Sequence, residues 1–207
     1  MIKKTIQKIL FFYLVIITNA SALIEIDITE GNREPLPIAV TNFFYAEDAI
    51  KDLDQISTDV SKVISADLER SGLFKSIDQE AFIQKTASMH IRPRHKDWRL
   101  INAQALVTGE LEIDKDKLRV EFRLWDTFAE KEIEALVLIT TIDNWRRISH
   151  MIADKIYERL TGEEGYFDTR ILYVSENGPK NNRIKKLAIM DQDSFNHRYL
   201  TLSLIHI

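Results

Sequence analysis

The chain contains no cysteine. Disulfides, thiol nucleophiles, thiolate metal sites and lipoprotein acylation are therefore all excluded. Glycine and proline are also scarce, at six and four residues in 207. Six glycines leave little room for a phosphate-cradling loop, and no G-x-S-x-G elbow occurs to expose a serine nucleophile. None of the five histidines forms an i, i+4 metal-binding pair. His90 and His95 flank Pro93 in a basic stretch read as a solvated loop, and His150 has no partner one helical turn away. After the N-terminus no apolar run approaches the roughly 20 residues that cross a bilayer. Catalytic residues, cofactors and metal ligands are all expected to be absent.

The charged segments have plain readings. Asp191 and Asp193 begin like a calcium loop, but no glycine or bidentate glutamate follows at the required spacing. They are read as turn residues whose carboxylates accept backbone hydrogen bonds. Arg92, Arg94, Lys96, Trp98 and Arg99 form a basic cluster with one aromatic, and Glu130, Lys131, Glu132 and Glu134 form a charge run. Both are read as solvated surface. The net charge is −4, and the first 22 residues carry three lysines and no acid, so the remainder is near −7. A negative chain is poorly suited to nucleic acid or anionic lipid.

What the N-terminus does contain is an export signal. Lys3, Lys4 and Lys8 form a basic head, Ile9–Ile17 is apolar throughout, and Ala20 and Ala22 supply the small residues of an A-x-A cleavage site. Residues 1–22 are read as a signal peptide cleaved after Ala22, and the mature protein as exported and soluble.

Periodicity organises the rest. Leu23–Gly31 alternates, with Ile24, Ile26 and Ile28 on one side and Glu25, Asp27 and Thr29 on the other, so residues 23–34 are expected to form a tail strand. Ile38–Phe44 reads as a buried strand. Ile56–Ser71 reads as a helix with Val60, Val63, Ile64 and Leu68 on its apolar face, and Asp67, Glu69 and Arg70 elsewhere. Short helices are expected at Asp78–Lys85 and Trp98–Gln104. Ala105–Ile113 and Leu118–Trp125 read as a hairpin across Asp114–Lys117, with Glu134–Thr141 as a further strand. Trp145–Leu160 carries Ile148, Ile152 and Ile156 at helical spacing, with Asp143 or Asn144 as cap and Gly162 as terminator. Thr169–Val174 and Lys185–Met190 then read as a second hairpin around Asn177-Gly178-Pro179. The order predicts an α/β domain, a mixed sheet with helices packed on it.

Several segments together resemble the TolB family. They are D-I-T-x-G-x-x-x-P at Asp27–Pro35, P-I-A-V-T-N-F at Pro37–Phe43, V-I-S-A-D-L-E-R-S-G-L-F at Val63–Phe74, A-L-V-T-G-E-L at Ala105–Leu111 and L-W-D-T at Leu124–Thr127. The helix-to-hairpin junction, with K-I-Y-E-R-L-T-G, T-R-I-L-Y-V and M-D-Q-D, completes the run. The resemblance implies an N-terminal α/β domain (residues 35–164) followed by a β-propeller. Residues 165–201 would be its orphaned first strands, and residues 202–207 are expected to be a non-native tail, because L-S-L-I-H-I is also the translation of a transposon-end sequencing adapter. It further implies a periplasmic adaptor of the Tol–Pal system, serving outer-membrane integrity and cell division. TolA would be engaged by its C-terminal domain through Leu23, Ile24, Glu25, Ile26, Asp27, Ile28, Thr29, Glu30 and Gly31, and Pal largely through the propeller that this chain lacks. The competing expectations are that the tail pairs within its own domain, that the protein is a secreted hydrolase, or that it is a cell-wall-binding module.

Overall fold

A computed structural model describes residues 24–26, 34–46, 52–84, 92–180 and 182–202. The expected signal peptide, residues 27–33, His90 and residues 203–207 lie outside these. The first sheet contains β1 (Leu36–Val40), β2 (Phe74–Ser76), β3 (Ala105–Asp114), β4 (Lys117–Asp126) and β5 (Lys131–Thr141) in the order β2-β1-β3-β4-β5. β1 is parallel to β2 and β3, and β3, β4 and β5 run antiparallel. The expected mixed sheet is therefore present.

Helices α1 (Asp52–Arg70) and α3 (Trp145–Thr161) pack side by side on one face. Their apolar stripes meet the inward residues of the strands. Val60, Ile64 and Leu68 of α1 and Ile148, Ile152, Ile156 and Leu160 of α3 share one core with Ile38, Val107, Val120, Phe122 and Leu124. Each fully buried aliphatic side chain contributes about 1.5–3 kcal/mol. The short helix α2 (His95–Leu100) covers part of the opposite face, where Trp98 packs with Ala39, Ala103, Leu106 and Trp125. A register shift at Leu124/Trp125 accompanies this arrangement, and Trp125 Nε1 donates to Thr108 Oγ1 at 3.0 Å.

A second sheet follows: β6 (Arg170–Asn177), β7 (Ile184–Asp191) and β8 (Arg198–Tyr199), all antiparallel. The expected hairpin is thus extended by a third short strand. It is joined to the first domain at the connection, where Phe167, shortly before β6, is fully buried in the main core, and at the turn after β7, where Gln192 and Asp193 reach α1 and α3. Asp154 of α3 holds that connection, accepting from Phe167 N at 2.6 Å and Asp168 N at 3.0 Å.

Several expectations are corrected. Ile24–Ile26 adopts no strand. Two donors there bond individually to Asp126 and to the end of α3, so no ladder forms. β2 forms at Phe74–Ser76, a segment for which the sequence predicts no strand. The helix expected over Asp78–Lys85 is a single 3₁₀ turn, Gln79–Ala81, capped by Asp78. The helix expected over Trp98–Gln104 is shifted to His95–Leu100, and Asn102 leaves it with φ 61°. The Glu130–Glu134 charge run is not a loop: β5 starts at Lys131, and Glu132 pairs with Arg123 of the neighbouring strand. Trp98 is 2% exposed and not part of a solvated surface. Helix α3 does end at Gly162, whose φ of 76° is left-handed.

Candidate interaction sites on helix α3

Helix α3 offers two places where side chains and backbone converge, one at each end. At the C-terminal end the last carbonyls of a helix have no partner inside it. Leu160 O accepts from Ile26 N at 2.6 Å, so the N-terminal segment satisfies one of them. Two residues earlier, Ile24 N donates to Asp126 Oδ2 at 3.0 Å. The other oxygen of Asp126 accepts from Phe128 N and Ala129 N at 2.9 and 2.8 Å. One buried carboxylate at the end of β4 therefore shapes the turn into β5 and anchors the tail. Ile26 is buried in the main core, Ile24 packs against it, and Glu25 is exposed. Over Ile24, Glu25 and Ile26 the alternation holds, although these residues take no strand partner. Leu23, Asp27, Ile28, Thr29, Glu30 and Gly31 lie outside the described residues, as do Ala20 and Ala22.

At the other end, α3 meets α1 and the turn after β7. Asp67 of α1 is fully buried, not set apart from the packed face as its charge suggested. His150 Nδ1 lies 2.6 Å from Asp67 Oδ2. Asp67 Oδ1 accepts from Arg70 at 2.9 Å and from Gln192 Nε2 at 3.1 Å. On the far side of the imidazole, Nε2 faces Asp193 Oδ2 at 3.6 Å. Asp193 also pairs with Arg146, whose guanidinium stacks 3.6 Å over the Phe195 ring. Burial pulls the His150 pKa down, but the hydrogen bond and charge of Asp67, with the charge of Asp193, outweigh it and hold the imidazole above its ordinary value. Burial pushes Asp193 up, and Arg146 with the Phe195 amide reverses that and holds it below the usual carboxylate range.

These contacts join elements distant in sequence. His150 does have a partner, on a different helix. Asp191 and Asp193 do act in a turn, where Ser194 N donates to Asp191 O and Phe195 N to Asp193 Oδ1, but Asp193 also reaches α3. Among the described residues no hydroxyl is hydrogen-bonded to either nitrogen of His150. His95 is buried beside Trp125, and His197 packs between Tyr173 and Tyr199. The L-W-D-T segment was the one sequence signal for Asp126. Nothing in spacing alone could have paired Asp67 with His150.

No helix among the described residues is long and apolar enough to cross a membrane. The family model for the TolB amino-terminal domain matches residues 24–133. The Tol-Pal system protein TolB of Pelagibacter ubique (strain HTCC1062) is 51% identical over 203 residues, covering 95% of this chain and 46% of that protein. The Tol-Pal system protein TolB of Paramagnetospirillum magneticum (strain ATCC 700264 / AMB-1) is 54% identical over 183 residues, covering 88% and 40%. The crystal structure of TolB from Acinetobacter baumannii superposes with a TM-score of 0.68 at 24% identity, covering 86% of this chain and 41% of that one. That likeness shows a shared fold. The chain spans less than half the length of the curated relatives it matches.

Proposed function

The chain belongs to the TolB amino-terminal domain family, and from that premise we propose that it is a periplasmic adaptor of the Tol–Pal system. It works by exchanging protein partners, not by catalysis, and serves outer-membrane integrity and envelope constriction during cell division. The observation that carries this reading is the identity of 51% across 203 residues with a protein named for that system. The export signal supports a periplasmic site of action, with residues 1–22 removed.

The partner assigned to Leu23–Gly31 is the C-terminal domain of TolA. The described part of this tail is held by two backbone hydrogen bonds and two isoleucines, with no strand ladder. A segment secured by so few contacts opens at low cost. Once free, its alternating Ile24, Ile26 and Ile28 can add as a strand to a sheet edge on a partner, main chain giving affinity and alternate side chains specificity. Residues 165–201 are read as the opening strands of a propeller. Pal recognition is assigned to the propeller of the relatives, so binding to Pal is expected to be lost in this chain.

The test is a calorimetric titration of residues 23–201 and of residues 32–201 with the TolA C-terminal domain. Binding that disappears with the tail supports the assignment. Equal binding by both moves the site onto the folded domain, and no binding by either overturns the adaptor reading for this chain.

A further inference from the structure

His150 is 2% exposed, and among the described residues its Nε2 has no hydrogen-bond partner. The other ring nitrogen is committed to Asp67 at 2.6 Å. An ionised carboxylate only accepts, so Nδ1 carries a hydrogen and Nε2 is the ring nitrogen left facing away from Asp67, with a proton when the imidazole is charged and a lone pair when it is neutral. It aims at acids. Asp193 Oδ2 is 3.6 Å away, and one ligand atom from each of His150, Asp191 and Asp193 lies within 4.8 Å of the others. A buried ring nitrogen facing two carboxylates calls for a positive charge between them, which a proton on the ring supplies and a metal ion can supply in its place.

We propose that His150, Asp191 and Asp193 bind one divalent transition-metal ion of the zinc type, which staples the three-stranded sheet to helix α3. The donor set selects the class. Calcium and magnesium take six or more oxygens, whereas one imidazole and two carboxylates with one solvent position make a four-coordinate zinc-type site. Two ligand atoms each about 2 Å from one ion stand about 3.3 Å apart, close to the 3.6 Å already present. Asp67 plays the part of the outer carboxylate that fixes the tautomer of a metal-bound histidine and raises its basicity.

The carboxylates are presented by a preset turn. Asp191 N donates to Phe195 O and Ser194 N to Asp191 O, both at 2.9 Å, and Asn196 Nδ2 orients the Asp191 carboxylate. Arg146 does not exclude the ion. Its guanidinium pairs with Asp193 Oδ2 while stacking on Phe195, and Arg170 stands 3.6 Å from Asp191 Oδ1; a carboxylate has lone pairs enough to accept from an arginine and bind a metal together. The site is independent of the tail and of any partner, so its failure would leave the adaptor reading untouched.

The test uses the full chain titrated with Co²⁺, read by the visible absorption of a low-coordinate site, with Zn²⁺ as competitor and Mg²⁺ as control. The expected result is one saturable site per chain from which Zn²⁺ displaces Co²⁺. Asp67→Asn should weaken it ten- to a hundredfold. His150→Gln should abolish it, and so should Asp191→Asn, which touches a less buried residue and keeps the test valid if the first variant loosens the junction. His197→Gln should leave it unchanged. Absence of a saturable site, persistence of the signal in both His150→Gln and Asp191→Asn, loss in His197→Gln, or equal competition by Mg²⁺ would each overturn the proposal.

Discussion

His95 is buried against Trp125, and among the described residues neither ring nitrogen has a hydrogen-bond partner. Burial holds its pKa below 6.5; Glu130 opposes this, while Arg92 and Arg99 add to it. The sign follows from linkage. With the folded value depressed, the unfolded chain binds more protons, so stability is complete above about 6.5 and is lost as pH falls through the folded value. His150, held above its ordinary value, acts in the opposite sense in both proteins, so melting midpoints measured from pH 8 down to 5 should decline more, or rise less, for the wild type than for His95→Phe. Parallel curves would remove His95 as the source. Gly109 shows a steric constraint at the same scale. A Cβ there would stand 2.2 Å from the Phe43 ring, which is itself 1% exposed. Gly109→Ala should destabilise by about 1–3 kcal/mol, the usual cost of overpacking, measured by urea unfolding. An unchanged midpoint would mean that the ring can move.

At the scale of elements, α3 is where the contacts converge. Its middle fills the core, its last carbonyls receive the tail, and its first turns meet the turn after β7 through Arg146 and His150 and the connection before β6 through Arg147. Hydrogen exchange should show the Ile26 amide protected in the free protein, because it donates to Leu160 O. Protection should drop when the TolA C-terminal domain is added. Protection that stays constant while the domain binds would argue that the tail is not the segment being exchanged.

Across the whole molecule, the second sheet has one attached end and much bare surface. Ala188 is buried, yet Leu172, Val174, Ile184, Tyr199 and Leu202 are each about half exposed or more. Exposed apolar residues on short paired strands favour association between chains. Sedimentation over a range of concentrations should show self-association, reduced in the double variant Leu172→Lys, Val174→Lys. A monomer at all concentrations would show that this face is tolerated in water.

The elements that one periodicity defines were legible from the residues. Leu118–Trp125 alternates cleanly because one face of β4 is buried and the other solvated, and α3 carries its stripe and its terminating glycine within one short window. The second hairpin was marked by its Asn-Gly-Pro turn. Short elements were harder to read: three residues of β2 hold too little pattern, and its existence depends on pairing with β1. The charged residues were misjudged for a related reason. Spacing labels Asp67 as solvent-facing, whereas its burial follows from His150 and Gln192 arriving from other elements to satisfy it. The sequence by itself determined the long strands and helices and the family, since these follow from local order along the chain. Only the tertiary structure decided where the tail rests and which acids surround His150, because hydrogen-bond satisfaction and desolvation are set by groups that folding brings together from distant positions.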